Sequence, residues 1–448
     1  VDRYKRNDKK LFFKISKIKK KLGYIKIIVC FADLETCKIL VFLPNHSADA
    51  FDPPQGSCTS RIDCLLRWIL DGFRKWDAIY FHFISVNGYI FENTLAFFPL
   101  FPIFLRLISS LTYTLVPLWS FWTHSILVGV VFNFFCSLLC AIQMYRLSKL
   151  IFVDDSLSVV SALLFVINPA SVFFTTLYSE ALYSLLFLSA LIWLHDSSYV
   201  TGCIILSMTV FCRSNGLVNC GFPCFFQFVL LVNRLRSLYK ESRRGSAQHM
   251  HLPILPVTVA VFHCFLSFLA TFLCVSSPYL IYQYYAGFLY CFLANELEVL
   301  TPYSVNSSFK PLWCAGVPWS SYMLLQKKFW DVGIFTYYQW KQLPNFLLAL
   351  PVLILVFKSV SLFGRKAPKT LLSLGILGDH GKQRLVVLTR MLFSSCPVLY
   401  WYCASVLLNE QDNVFGHPPW SYQRALLYYF YSYIVIGCLM HSNFLPWT

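Results

Sequence analysis

The chain has 448 residues, of which 57% are hydrophobic, 18% aromatic and only 13% charged. Soluble domains carry about a quarter charged residues, so this composition excludes an ordinary soluble protein and indicates an all-α polytopic membrane protein. The formal charge of +16 is no nucleic-acid footprint, because its basic residues cluster beside apolar runs and form no stripe on a soluble domain.

A helix needs about 20 mainly apolar residues to cross a bilayer. In chain order the candidate spans are Ile25–Leu43, Pro99–Trp119, Thr123–Met144, Leu157–Thr176, Ala181–Leu194, Val200–Val232, Leu252–Ala294, Leu343–Phe357, Leu385–Leu408 and Ala425–Leu445. The first is poor, since Asp33, Glu35 and Lys38 interrupt it. Leu252–Ala294 holds no Asp, Glu, Lys or Arg and is long enough for one helix plus a second or re-entrant piece. Asn168-Pro169, inside LLFVINPASVFF, breaks a helix because proline lacks the amide proton and clashes with the preceding turn. A helix end lining a cavity and a plain kink both fit that break.

Eleven Lys/Arg lie between Arg3 and Lys26, five between Arg234 and Arg244, and six between Lys358 and Arg384. Such clusters mark cytoplasmic loops and touch anionic headgroups. They predict a basic cytosolic N-terminus over 1–24 and a single transmembrane domain over 25–448. Within it, cytosolic loops fall at about 233–251 and 358–384, and two large lumenal loops at about 44–98 and 296–342. The glycosylation sequons at Asn45 and Asn306 both fall in those lumenal loops. Ten crossings satisfy the parity, within a range of roughly 8–12. No internal repeat is visible, whereas transporters are often built from repeated halves. The 17 cysteines sit mostly in apolar runs, where a thiol behaves as a small hydrophobe. No CxxC pair has metal spacing, so no metal site is expected.

Asp77 is the leading candidate for chemistry. It follows Trp76 in KWDAIYFHF, at the mouth of a loop read as lumenal, where a carboxylate can stay ionised and reach a substrate proton. Trp76 can stack on a sugar ring; the plainer alternative is an interfacial tryptophan followed by a helix-capping aspartate. Glu92 either orients an acceptor hydroxyl or marks the water boundary of the next helix. Glu180 and Arg213 lie inside apolar runs, where a charge costs at least ~2.5 kcal/mol and therefore faces a cavity or a partner. Arg213 is the one charged residue between Val200 and Val232. It either binds a lipid phosphate, with Asn215 and Gly216 letting backbone approach, or pairs with Glu180 to hold the bundle together.

These residues sit in blocks that resemble the PIG-V mannosyltransferase family along nearly the whole chain. The blocks are HSADAFDPP from His46, Trp76-Asp77-Ala78 followed by Gly88-Tyr89 and AFFPLFP, NPASVF from Asn168, YSEALY from Tyr178 and RSNGLVN from Arg213. Trp330 with VGIFTYY, QLPNFLLALP, SSCPVLYW and the terminal HSNFLPWT complete the set. The resemblance implies a type-C glycosyltransferase-like bundle in the endoplasmic reticulum membrane. It implies transfer of the second mannose of the GPI-anchor precursor through an α-1,6 bond, from dolichyl phosphate mannose, with inversion, on the lumenal side. Asp77 would then be the catalytic base, and Trp76, Glu92, Glu180, Arg213 and Asn215 would bind substrate. The partners implied are dolichyl phosphate mannose, the GPI precursor glycolipid and the membrane, with a small membrane partner subunit left open. No cofactor and no nucleic acid are expected.

Two readings from other classes compete: a lipid or solute transporter, and a non-catalytic membrane subunit of anchor synthesis. A transporter needs its mid-membrane charges and tolerates loss of Asp77, whereas a transferase does not. A subunit tolerates loss of both acidic loop residues, Asp77 and Glu92.

Overall fold

A computed structural model of the chain describes residues 51, 53, 56–196, 198–245, 254–292, 311–315, 321–333, 340, 343–366, 368, 396–408 and 420–442. The basic segment 1–24, the span expected at Ile25–Leu43, both sequons and much of the loops expected at 296–342 and 358–384 lie outside the described residues. Among the described residues there are helices and no strands. Four helices are long and apolar enough to cross a membrane, and six shorter apolar helices accompany them.

Two short helices, α1 (Arg61–Leu70) and α2 (Asp77–Asn87), precede the first apolar helix α3 (Leu100–Leu115). Ser60 caps α1 by accepting from the Asp63 amide, while the Asp63 carboxylate accepts from the Thr59 amide at 2.9 Å. Ser120 Oγ donates to the other Asp63 oxygen at 3.0 Å and accepts from the Thr123 amide. One buried carboxylate thus joins the start of α1 to the start of α4 (Phe121–Phe152).

The 32-residue α4 is the central post, packed by α2, α3, α5 (Asp155–Val166) and α6 (Glu180–His195). The α4–α5 turn closes through Val153 in the left-handed region and Asp154, which accepts from the amides of Ser156 and Leu157. The span expected over Leu157–Thr176 stops at Val166. Asn168 ends it: Nδ2 donates to the Phe165 carbonyl at 2.8 Å, and Oδ1 accepts from the Ala170 amide at 2.8 Å across Pro169. The broken-helix alternative, not the kink, is what forms.

The span expected over Val200–Val232 also divides. α7 (Tyr199–Cys212) stops at Arg213, a tight turn runs over Ser214–Cys220, and α8 (Gly221–Gly245) follows. By contrast, Leu252–Ala294 needs no second piece. Its core is one 34-residue helix, α9 (Ile254–Gly287), about 50 Å long at 1.5 Å per residue. Pro278 removes the amide that would bond the Cys274 carbonyl, and Ser277 Oγ donates to that carbonyl at 2.9 Å instead. Many of its large apolar side chains are exposed, among them Phe262, Phe265 and Leu273, as lipid-facing positions require.

Four helices complete the described set: α10 (Ser321–Trp330), α11 (Leu343–Lys366), α12 (Pro397–Leu408) and α13 (Trp420–Ser442). α12 packs on α5, and its Trp401 Nε1 donates to Ser148 of α4 at 2.6 Å. The last turn of α13 places the buried His441 against the rings of Phe173 and Tyr178. The loop 167–179 therefore lies between α4, α13 and the turn before α2. Asn133, alone in the apolar middle of α4, donates to the carbonyls of Thr176 and Tyr178. The Leu177 amide donates to the Phe73 carbonyl at 3.3 Å. Removing a buried donor that serves two carbonyls costs about 1–3 kcal/mol. Asn133→Ala is therefore expected to lower the midpoint of thermal unfolding in detergent; a wild-type midpoint would show that other contacts hold this loop.

Candidate functional site

The turn before α2 is strained. Trp76 has φ 56° and ψ −130°, a region that residues other than glycine rarely adopt and that costs on the order of 1–3 kcal/mol. Its surroundings enforce it. Lys75 Nζ pairs with Asp71 at 2.5 Å, and Arg74 lies over the Trp122 ring at 5.4 Å. The carbonyls of Lys75 and Trp76 accept from the amides of Ala78 and Ile79. The turn delivers Asp77 as the first residue of α2, and among the described residues no side chain caps that helix. Asp77 is thus inside the first turn and is not the capping residue.

Two further helix ends meet it. Glu180 begins α6, directly after Ser179, and Arg213 follows the last residue of α7 with extended backbone. Arg213 Nη1 forms an ion pair with Glu180 Oε1 and reaches Ser179 Oγ at 3.5 Å. Glu180 Oε2 is buried and has no hydrogen-bond partner among the described residues. Both charges act on Asp77, and Tyr178, directly before Ser179 and Glu180, feels the same three charges. The pairing offered as the alternative to phosphate binding does form, and it forms beside the candidate base.

Asp77 combines two properties that usually oppose each other. It keeps exposed surface, yet protein packs densely around it. Loss of surrounding water raises its carboxyl to about 6; the Glu180 charge adds to the rise and Arg213 opposes it. The group is still mostly ionised at neutral pH, and it binds a proton far more readily than an ordinary carboxylate. His82, one turn further along α2, is a different case. Burial, with the Arg74 charge, pushes it down to about 3, so it stays neutral, its Nε2 engaged by Ser125 and the Trp122 carbonyl.

The structure therefore brings Asp77, Glu180 and Arg213 together, with the half-buried Trp76 immediately before Asp77. Asn215 is exposed on the Ser214–Cys220 turn, with no hydrogen bond to the three among the described residues. Glu92 stands apart and is held by Trp313 Nε1 at 2.9 Å and Lys328 Nζ at 2.6 Å. Three supporting residues went unread in the sequence: Asn133, whose one signal is a lone amide in an apolar run; Asn219, which donates to the hydroxyls of Tyr183 and Thr209 at 3.1 Å; and Trp330 as a neighbour of Tyr80. The disulfides Cys58–Cys64 and Cys291–Cys314 were also missed, since spacing alone does not reveal a pairing.

Gly216 sets the path of the Arg213 turn. A Cβ there would sit 2.5 Å from the backbone of Thr209, and a backbone cannot yield as a flexible side chain can. Gly216→Ala is expected to displace Arg213 and lower thermal stability by about 1–3 kcal/mol. Unfolding that matches the wild type would show that the turn has another path.

The sequence pattern of the Mannosyltransferase (PIG-V) family matches residues 24–386 and 383–448. The chain is 31% identical to GPI mannosyltransferase 2 of Drosophila pseudoobscura pseudoobscura, over 90% of this chain and 94% of that one. It is 29% identical to GPI alpha-1,6-mannosyltransferase 2 of Homo sapiens, over 92% and 97% respectively, and of Cricetulus griseus, over 91% and 94%. Among solved structures, the oligosaccharyltransferase AglB from Archaeoglobus fulgidus superposes with a TM-score of 0.40 and 12% identity, covering 94% of this chain and 55% of that chain. With its apolar helices and the matched family, the chain is a multi-pass membrane glycosyltransferase that uses a lipid-linked sugar donor and a glycolipid acceptor, and it belongs to the PIG-V mannosyltransferase family.

Proposed function

We propose that this chain adds the second mannose to the GPI-anchor precursor through an α-1,6 bond, taking it from dolichyl phosphate mannose on the lumenal side of the endoplasmic reticulum membrane. The carrying observation is the meeting of three helix ends that sets Asp77 beside the Arg213–Glu180 ion pair, with its carboxyl raised to about 6. The relatives' names supply the acceptor and the linkage. Both disulfides involve cysteines at or within the two loops assigned to the lumen, which suits an oxidising compartment.

In this reaction Asp77 takes the proton of the acceptor 6-hydroxyl as that oxygen attacks the anomeric carbon. The bond from that carbon to the phosphate oxygen breaks on the opposite face, and dolichyl phosphate leaves with the electron pair. The configuration inverts in one displacement, without a covalent enzyme intermediate. Asp77, Glu180 and Arg213 together carry one formal negative charge, which protonation of Asp77 cancels. Negative charge therefore leaves the protein side as it builds on the departing phosphate, where Arg213 offers a counter-charge. The lipid phosphate is a good leaving group, and the step as proposed calls for no cofactor. Trp76 serves as a platform for sugar, and Asn215 lies on the exposed turn where the donor phosphate would approach.

Asp77→Asn is expected to leave the protein folded in the membrane and to halt extension of the one-mannose intermediate. The test is complementation of cells lacking this step, with lipid intermediates resolved by chromatography. Normal surface levels of anchored proteins in those cells would overturn the assignment.

The pH dependence has a defined sign. Asp77 acts only when ionised, so kcat/KM is expected to fall about tenfold per unit as pH drops below about 6 and to level off above it. A profile flat from pH 5 to 7.5 would contradict the role of Asp77 as base.

A further inference from the structure

Glu92 is fully occupied by protein, and its partners belong to the second large loop. Oε1 accepts from Trp313 Nε1, and Oε2 pairs with Lys328 of α10. Cys291–Cys314 ties the turn Phe288–Phe292, directly after α9, to the turn that carries Trp313. At the other end of α10, Ser321 Oγ and the Tyr322 amide both donate to Gln283 Oε1 of α9. A ten-residue helix does not hold its shape alone in water, so these anchors decide where α10 sits. Its C-terminus is closed by the Asp331 amide on the Lys327 carbonyl and the Val332 amide on the Gln326 carbonyl, with Asp331 in the left-handed region.

That closure fixes the last helical residue, Trp330. Its ring stands edge-on to Tyr80 at 5.9 Å and to Phe97 at 5.8 Å. Tyr80 is stacked between Phe51 and Phe97, at 4.6 and 4.3 Å, and lies one turn along α2 from Asp77, whose charge reaches it. Trp330 is half-buried, so part of its ring remains available for a ligand. The apolar C–H faces of a pyranose pack well on such a surface.

We propose that Trp330 is a binding platform for a hexose ring of the acceptor glycolipid, and that the Glu92–Lys328 ion pair is a positioning latch holding it beside Asp77. This rests on the transferase reading above. Glu92 acts through Lys328 and touches no reacting atom. Lys328 is half exposed, so the pair contributes little to global stability and its loss leaves the fold intact while freeing the platform.

The test is steady-state kinetics in detergent, titrating the one-mannose acceptor glycolipid at saturating dolichyl phosphate mannose. Trp330→Leu is expected to raise the acceptor KM roughly tenfold with kcat within about threefold, and Trp330→Tyr to stay near wild type. Lys328→Met is expected to raise the same KM and Lys328→Arg to stay near wild type, because a cation at 328 keeps the pair while Glu92 keeps its hydrogen bond from Trp313. Equal yields of monodisperse protein exclude misfolding as the cause. An unchanged KM in Trp330→Leu or in Lys328→Met overturns the proposal. Asp77→Asn separates the two levels. If that variant is inert while Trp330→Leu binds acceptor normally, only the platform fails; if it is active, the base assignment beneath fails as well.

Discussion

Three helix ends meeting at one point are what the site depends on. Asp77 and Glu180 each sit in the first turn of a helix, and Arg213 follows the last turn of another. Backbone dipoles favour anions at the first kind of end and cations at the second, so each charge lies where its own helix stabilises it. The Arg213–Glu180 pair then compensates two charges that would be costly alone in an apolar bundle. Asp77 is left as the third charge, and loss of surrounding water, with the Glu180 charge beside it, raises its carboxyl.

The rest of the bundle keeps those ends in place. Asn133 and the Phe73 carbonyl hold the loop before Glu180 from two sides, and the buried His441 closes the third. Close contact of Gly216 with the Thr209 backbone lets the chain reverse immediately after Arg213. Asn219 ties that reversal to α6 and α7 through Tyr183 and Thr209. Rigid helices, not flexible loops, therefore set the spacing of the charges, which suits a reaction that relies on preorganised electrostatics.

Much of this was legible in the sequence. Apolar run length gave the helical bundle, and isolated charges in apolar surroundings singled out Glu180 and Arg213, because burial makes such residues conspicuous. What remained hidden depends on tertiary distance. Val200–Val232 reads as one span, yet it breaks at Arg213, since hydropathy averages over a charged residue that finds its partner elsewhere in the fold. Leu157–Thr176 is likewise shortened by the Asn168 side chain capping its own helix. Whether Glu92 faces substrate or protein is undecidable from local pattern, because its partners Trp313 and Lys328 lie more than 200 residues away.

The most direct measurement is a cryo-electron microscopy map of the Asp77→Asn protein with dolichyl phosphate mannose and the one-mannose acceptor bound. The acceptor 6-hydroxyl is expected within hydrogen-bonding distance of residue 77 and the donor phosphate against Arg213, with the anomeric carbon between them. A donor phosphate seated at the opposite membrane face, or an acceptor hydroxyl well beyond reach of residue 77, would contradict that arrangement.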